Sequence, residues 1–298
     1  MLSAPLISVC IPSYNAEQFI ANTLQSVIDQ TFTDFEVVIV DDASTDRTVA
    51  ILQEFSDSRI RLNRNDLNLG IGNNWNKVVS CARGKYVKLL CGDDLLDPQC
   101  LERQASTLES ALNSRAVLAV CGSRVINSQG KIVLRRTLPF RSGLVAGEKM
   151  IRTSVRWGTN LIGEPMVGLY RRDVLDKGIR YSPSNPFLID LAFWADLLRH
   201  GNAFVDKNPL ASFRVSGRAV SAQIGSRQAQ AFRDFAGNLH SERAYAVSRC
   251  DVLLGSLLSF AWCISRNLFL KFKCGRCEGG RTFDKTSKRN REFCSDSI

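Results

Sequence analysis

Histidine is nearly missing from this chain: His200 and His240 are the only two in 298 residues. That scarcity argues against zinc. Cys274 and Cys277 form a C-x-x-C pair with Cys294 further on, but no histidine is near enough to complete four ligands, so these are read as thiols in a polar tail. A Gly-x-x-x-x-Gly-Lys-Ser/Thr loop is absent, which excludes a P-loop nucleotidase. No Gly-x-Gly-x-x-Gly follows the first apolar run, which excludes a dinucleotide dehydrogenase. The longest uncharged apolar run, Val252–Ile264, has thirteen residues, too few to cross a hydrocarbon core of ~30 Å. No internal repeat is evident. No secretory signal precedes residue 5 and the ten cysteines are scattered, so a reducing, cytoplasmic setting is expected.

What is present is an ordinary folded composition, 45% apolar and 23% charged, which excludes wholesale disorder. The 39 Lys and Arg against 29 Asp and Glu leave a formal charge of +10, which by itself suggests an acidic partner. The charge is unevenly spread. Residues 1–100 are net −5, residues 101–264 net +10, and residues 265–298 net +5.

The first 120 residues alternate short apolar runs with helix-like segments. Ile7–Ile11 reads as a strand closed by Pro12, and Asn15 as the cap of a helix carrying Phe19, Ile20, Leu24 and Val27. Glu36–Val40 is a strand ending in Asp41 and Asp42, with Ser44 or Thr45 capping the next helix. Tyr86–Leu90 and Ala116–Val120 complete the series. Such alternation predicts an α/β fold whose mostly parallel sheet is covered on both faces. Cys10 and Cys121 fall inside these runs as small buried thiols. After residue 121 the style changes: Val125–Leu134 reads as a hairpin turning at Asn127–Gly130, Leu188–Leu198 as a helix, and Gly225–Arg249 as one long helix. The expected organisation is a catalytic unit over 1–225, with a nucleotide-binding part at about 5–120 and an acceptor part at about 121–225. A helical appendage over 226–272 and a basic tail over 273–298 follow.

Ligands of open parallel sheets bind beyond the carboxyl ends of the strands. Here those ends are Pro12-Ser13-Tyr14-Asn15, Asp41 to Asp46, and Cys91-Gly92-Asp93-Asp94. They deliver an aromatic ring and two Asp-Asp pairs to one edge. Clustered carboxylates raise one another's pKa unless a cation or hydrogen-bond donors join them. Capping explains Asp46. It explains Asp93 and Asp94 less well, since the glycine before them makes a tight turn that aims both outward. Hard oxygen ligands of this kind suit Mg²⁺ or Mn²⁺ shared with substrate phosphates.

Ile7–Asp46 (ISVCIPSYNAEQFIANTLQSVIDQTFTDFEVVIVDDASTD) resembles the opening of a family 2 glycosyltransferase of the GT-A fold. The likeness continues through NLGIGNNWN (68–76), GKYVKLLCGDD (84–94), GEPMVGLYRRDVL (163–175) and DLAFWADLL (190–198), covering roughly residues 5–220. The resemblance implies an inverting transfer from a nucleotide-sugar donor with a divalent cation. It places Tyr14 on the base, Asp42 as acceptor for a base nitrogen, and Pro12 and Ser13 in the same pocket. The family's Asp-x-Asp element falls on Cys91-Gly92-Asp93 and so lacks its first aspartate, leaving Asp93 near the ribose and Asp94 on the metal. Asp190 is the implied general base, although Ile189 stands where the family often has a glutamate. On the residues alone, the N-cap of the Leu191–Leu198 helix is the lesser alternative for Asp190. Arg214–Ser221 lies where the family often has a loop closing over the donor phosphates, which makes Arg214 and Arg218 the implied phosphate contacts; solvated arginines are the plain alternative.

Two rivals have sequence tests. A non-catalytic sugar-binding relative is opposed by intact Asp42, Asp93, Asp94 and Asp190. A nucleotidyltransferase is opposed by Pro12–Glu17, which has neither glycine nor positive charge. Residues 250–298 pair an apolar helix with a basic cluster, and two readings stay open. One is an anionic membrane surface, peripheral on its cytoplasmic face. The other is a helix packed on the catalytic unit or a partner. Nucleic acid is disfavoured because the basic tail has few interleaved aromatics. A saccharide or lipid-linked acceptor is the expected second substrate.

Overall fold

Among the described residues, ten strands form one sheet in the order β3-β2-β1-β4-β9-β6-β10-β5, with β7 on β6 and β8 on β10. The computed structural model describes residues 4–110, 114–183, 187–215 and 226–269. The first half is β1 (Ile7–Ser13), α1 (Ile20–Ile28), β2 (Phe35–Asp41), α2 (Thr48–Gln53), β3 (Ile60–Arg64), α3 (Ile71–Ser80) and β4 (Tyr86–Leu89). The neighbours β3, β2, β1 and β4 are all parallel. Every residue of β1, β2 and β4 is buried, the mark of strands covered on both faces. β5 (Leu95–Leu96), α4 (Cys100–Ser110), β6 (Ala116–Ile126), β7 (Ile132–Arg136), β8 (Gly143–Val145), α5 (Gly147–Trp157) and β9 (Gly168–Arg171) follow. Then come α6 (Ile189–Leu198), β10 (Asn202–Arg214), α7 (Ser226–Ser241) and α8 (Arg249–Phe269).

The change of style after residue 121 is therefore no break in the sheet. β9 runs antiparallel to both β4 and β6 and stitches the two parallel groups together, while β10 runs parallel to β6. The hairpin is present: β6 and β7 pair antiparallel, and the Gly130 N–H donates to Asn127 O at 3.0 Å. Cys10 and Cys121 are buried in β1 and β6, and no disulfide is formed among the described residues.

Three local expectations are corrected. Pro12 does not close β1, which runs on to Ser13 beside β2. Even-numbered residues of β1 turn their polar groups toward β4, and that pairing ends where Leu90 N–H meets Cys10 O. A missing N–H at Pro12 thus breaks no ladder bond. Asn15 is not a helix cap. Its backbone is left-handed (φ 46°), and its Oδ1 accepts from the Thr45 N–H at 2.9 Å, tying the first strand-end loop to the second. The helix expected over Gly225–Arg249 is interrupted: α7 ends at Ser241, and Arg243, Tyr245 and Ala246 take positive φ before α8 begins.

Candidate active site

The parallel group puts the ends of β1, β2 and β4 on one edge. Behind them, Asp41 is fully buried and accepts from the Ser13 hydroxyl, the Ser44 hydroxyl and the Ser44 N–H. It is the rivet between the two loops. Asp46 accepts from the Thr48 N–H at 2.9 Å and the Glu17 N–H at 3.1 Å, but it is not the expected cap: Arg47 holds the N-cap position of α2, with no side-chain cap bond. Asp42 faces the other way. Its Oδ1 accepts from Asn65 Nδ2 at 2.7 Å and the Leu69 N–H at 2.8 Å, and its Oδ2 from the Gly70 N–H at 3.0 Å. The Asn68–Asn76 segment is folded around this carboxylate, and one acceptor position on Oδ2 is left over. The Asp42 N–H bonds Ser13 O at 2.8 Å, and the next residue, Tyr14, is half exposed.

After β4 the chain turns at Cys91–Asp94, closed by the Asp94 N–H on Cys91 O at 3.1 Å. The turn does not aim both carboxylates outward. Asp94 is 1% exposed because the end of β10 covers it, and its Oδ1 accepts from the Arg214 N–H at 2.9 Å. Arg214 is placed differently from the expectation of a mobile phosphate contact. It is the last residue of β10 and buried. Its Nε donates to Asp93 O at 2.8 Å, its Nη1 to Asn127 O at 3.0 Å, and its guanidinium lies over the Phe19 ring. These bonds make it a strut that holds the Asp93–Asp94 turn. Burial raises the pKa of Asp93, and burial followed by the Asp93 charge raises that of Asp94 well above the ordinary range. Arg218 lies outside the described residues.

Asp190 occupies the first turn of α6, but it is not the cap. Leu188 holds that position with no side-chain cap bond. Asp190 Oδ1 is buried and has no hydrogen-bond partner among the described residues. Its pKa is pushed up to about 8, by burial first and then by the charge of Glu164. A buried carboxylate beside a like charge has a raised proton affinity.

Glu164 and Arg136 are the site residues that sequence reasoning missed. Glu164 Oε1 accepts from Arg136 Nη1 at 2.7 Å, while Oε2 is buried without a partner. Its charge raises the pKa of Asp190 and of Asp94. Trp194, one turn after Asp190, fixes the arrangement: its Nε1 donates to Gly163 O at 2.9 Å and locks the Glu164 turn to α6. The one signal was an acidic residue before proline in the apolar GEPMV segment; Arg136, on a different hairpin, had none.

These donors were tested against a divalent cation. Among the described residues no group of three or more His, Cys, Asp or Glu is placed to hold a metal ion. Yet Asp94 has a carboxylate with raised proton affinity, and Glu164 and Asp190 each carry an orphaned oxygen. That set fits a hard cation that takes one or two carboxylates and completes its shell with substrate phosphate and water.

The family model for glycosyl transferase family 2 matches residues 8–179. An uncharacterised glycosyltransferase of Haemophilus influenzae is 29% identical over 238 residues, covering 76% of this chain and 71% of that protein. A Bacillus subtilis protein provisionally assigned to teichuronic acid biosynthesis, TuaG, is 30% identical over 221 residues, covering 73% and 82%. Among solved structures, S. aureus TarS 1–349 in complex with UDP-GlcNAc aligns over 91% of this chain and 77% of that chain, with TM-score 0.64 and 19% identity. The mannosyltransferase PcManGT of Pyrobaculum calidifontis, in complex with GDP-Man and Mn²⁺, aligns over 94% and 77%, with TM-score 0.60 and 16% identity. At such identities the structural likeness speaks for the fold alone.

Proposed function

Since the chain belongs to glycosyl transferase family 2 and has the GT-A fold, we propose that it transfers a hexose from a nucleoside diphosphate donor to a saccharide or lipid-linked acceptor, with inversion. The observation that supports this reading is the unpartnered Asp190 carboxylate, whose proton affinity is raised by Glu164, the same side chain whose charge acts on the buried Asp94. The setting is assembly of a polysaccharide or glycoconjugate, peripherally at the cytoplasmic face of a membrane.

In this mechanism Tyr14 stacks on the base, and the remaining acceptor position of Asp42 takes a base N–H, with Pro12 and Ser13 forming the floor. Asp93 lies toward the ribose. Asp94 would hold Mg²⁺ or Mn²⁺, whose chemistry is to offset the charge of the departing diphosphate. Arg214 keeps the Asp93–Asp94 turn in place, and Arg218 is the phosphate contact. The Asp190 carboxylate accepts the proton of the acceptor hydroxyl as that oxygen attacks the anomeric carbon from the side opposite the phosphate. Glu164, held by Arg136, keeps the proton affinity of Asp190 high enough for the task.

The test is the anomeric configuration of the product by NMR, from a donor of known configuration. An α-linked donor giving a β-linked product is expected; retention would remove the single-displacement mechanism and the role of Asp190 with it.

A further inference from the structure

Helix α8 is packed inside out. Its buried stripe is Asp251, Gly255, Ser259 and Cys263, spaced four apart, the small and polar side of the helix. That stripe lies on α5 at backbone distance: a Cβ added to Gly255 would come within 1.9 Å of Val155 O, and one added to Gly158 within 2.3 Å of Gly255 O. Arg152 Nε bonds Asp251 Oδ2 at 3.0 Å, and Trp262 Nε1 bonds Trp157 O at 3.0 Å, pinning both ends of the contact. The outward side is the apolar one. Leu253, Leu257, Phe260 and Ile264, one continuous stripe, are 67%, 73%, 56% and 50% exposed, and Trp157 at the end of α5 extends it at 52%.

A helix on a water-facing surface turns its apolar stripe inward. This one does the reverse over residues 252–265, fourteen positions without a charge, or about 21 Å of helix. A contiguous exposed patch of this kind marks an interaction surface. Its surroundings say which. Lys149 and Arg156 are exposed on α5 and form no ion pair among the described residues. The 29 residues after Phe269 carry eight Lys or Arg against four Asp or Glu.

We propose that this face of α8, with Trp157, docks on an anionic bilayer surface and lies in the interface plane. Leu253, Leu257, Phe260 and Ile264 enter the acyl boundary while the cations meet the headgroups. Among the described residues no helix is long and apolar enough to cross a membrane, which fits a helix that lies on the bilayer. A second copy is the weaker occupant. Pairing two such faces would bring two basic segments to one contact and leave their repulsion uncompensated, whereas anionic headgroups neutralise them. The surface is separate from the transfer site, and its test does not depend on the transfer reaction.

The test is flotation of the full chain with vesicles of phosphatidylcholine alone and of phosphatidylcholine mixed with phosphatidylglycerol. Binding to the mixed vesicles and little to the neutral ones is expected. The double variant Leu257→Glu, Phe260→Glu changes only exposed side chains, so its far-UV CD and Tm should match the parent while the bound fraction falls by about tenfold or more. Absence of binding by the unaltered chain, equal binding to both vesicles, or binding unaffected by the double variant would overturn the proposal. So would a dimer in sedimentation equilibrium that the double variant dissolves while the unaltered chain ignores lipid; that result would assign the face to a second copy.

Discussion

A carboxylate that takes a proton from a sugar hydroxyl near neutral pH is most effective when its proton affinity stands well above that of a solvated aspartate. Asp190 meets that requirement through burial and through the neighbouring charge of Glu164, which together push its pKa up to about 8. The second contribution can be removed by itself. Glu164→Gln deletes a like charge and leaves the Arg136 cation uncompensated, and both changes favour ionised Asp190 and lower its pKa. The rising limb of the kcat/KM profile should therefore move to lower pH by about one unit, read from a pH–rate series; an unmoved limb would separate Glu164 from the base. At this scale the strand-end aspartates Asp42, Asp93 and Asp94 were legible, because a sheet's topology alone brings them to one edge. Glu164 was not, because its meeting with Asp190 depends on how a turn packs against a helix 25 residues later in the chain. Arg214 was singled out for its charge. Its role as a strut comes from the length of β10, which no spacing in the sequence announces.

At the scale of elements, the contact that positions the site is α6 against β9. Gly168 opens β9 where the Trp194 ring crosses it: an added Cβ would lie 2.5 Å from Trp194 Cη2 and 3.2 Å from Leu118 Cδ1. Gly168→Ala forces the indole outward, strains its bond to Gly163 O and disturbs the Glu164 turn. We expect a loss of about 1–3 kcal/mol, visible as a lower Tm, with kcat reduced more than nucleotide affinity. An unchanged Tm would mean that the ring has room to yield. The strands and helices themselves were largely readable from apolar runs and their spacing. The misreadings share one cause. Pro12, Asn15 and the interruption after Ser241 were judged from local propensity, whereas their conformations are set by which neighbour pairs with the strand, or by a loop on another strand.

For the whole molecule, the uneven charge follows the division of labour. The acidic first third supplies Asp42, Asp93 and Asp94 to one edge of the sheet, and there the Asp93 charge adds to burial in raising the proton affinity of Asp94. A nucleoside diphosphate that binds together with Mn²⁺ should raise Tm in a cation-dependent way, and a panel of nucleotides would identify the base. A rise without the cation would argue against Asp94 as its ligand. The overall charge alone would suggest nucleic acid, whereas its distribution along the chain separates an acidic first third from a basic middle and tail. The central claim, that a glycosyl transfer is driven by proton removal at Asp190, is tested most directly by the kcat of Asp190→Asn under conditions where the nucleotide Kd is measured in parallel. The account predicts a fall of about 10²–10⁴-fold in kcat with the Kd unchanged, and near-normal turnover by Asp190→Asn would contradict it.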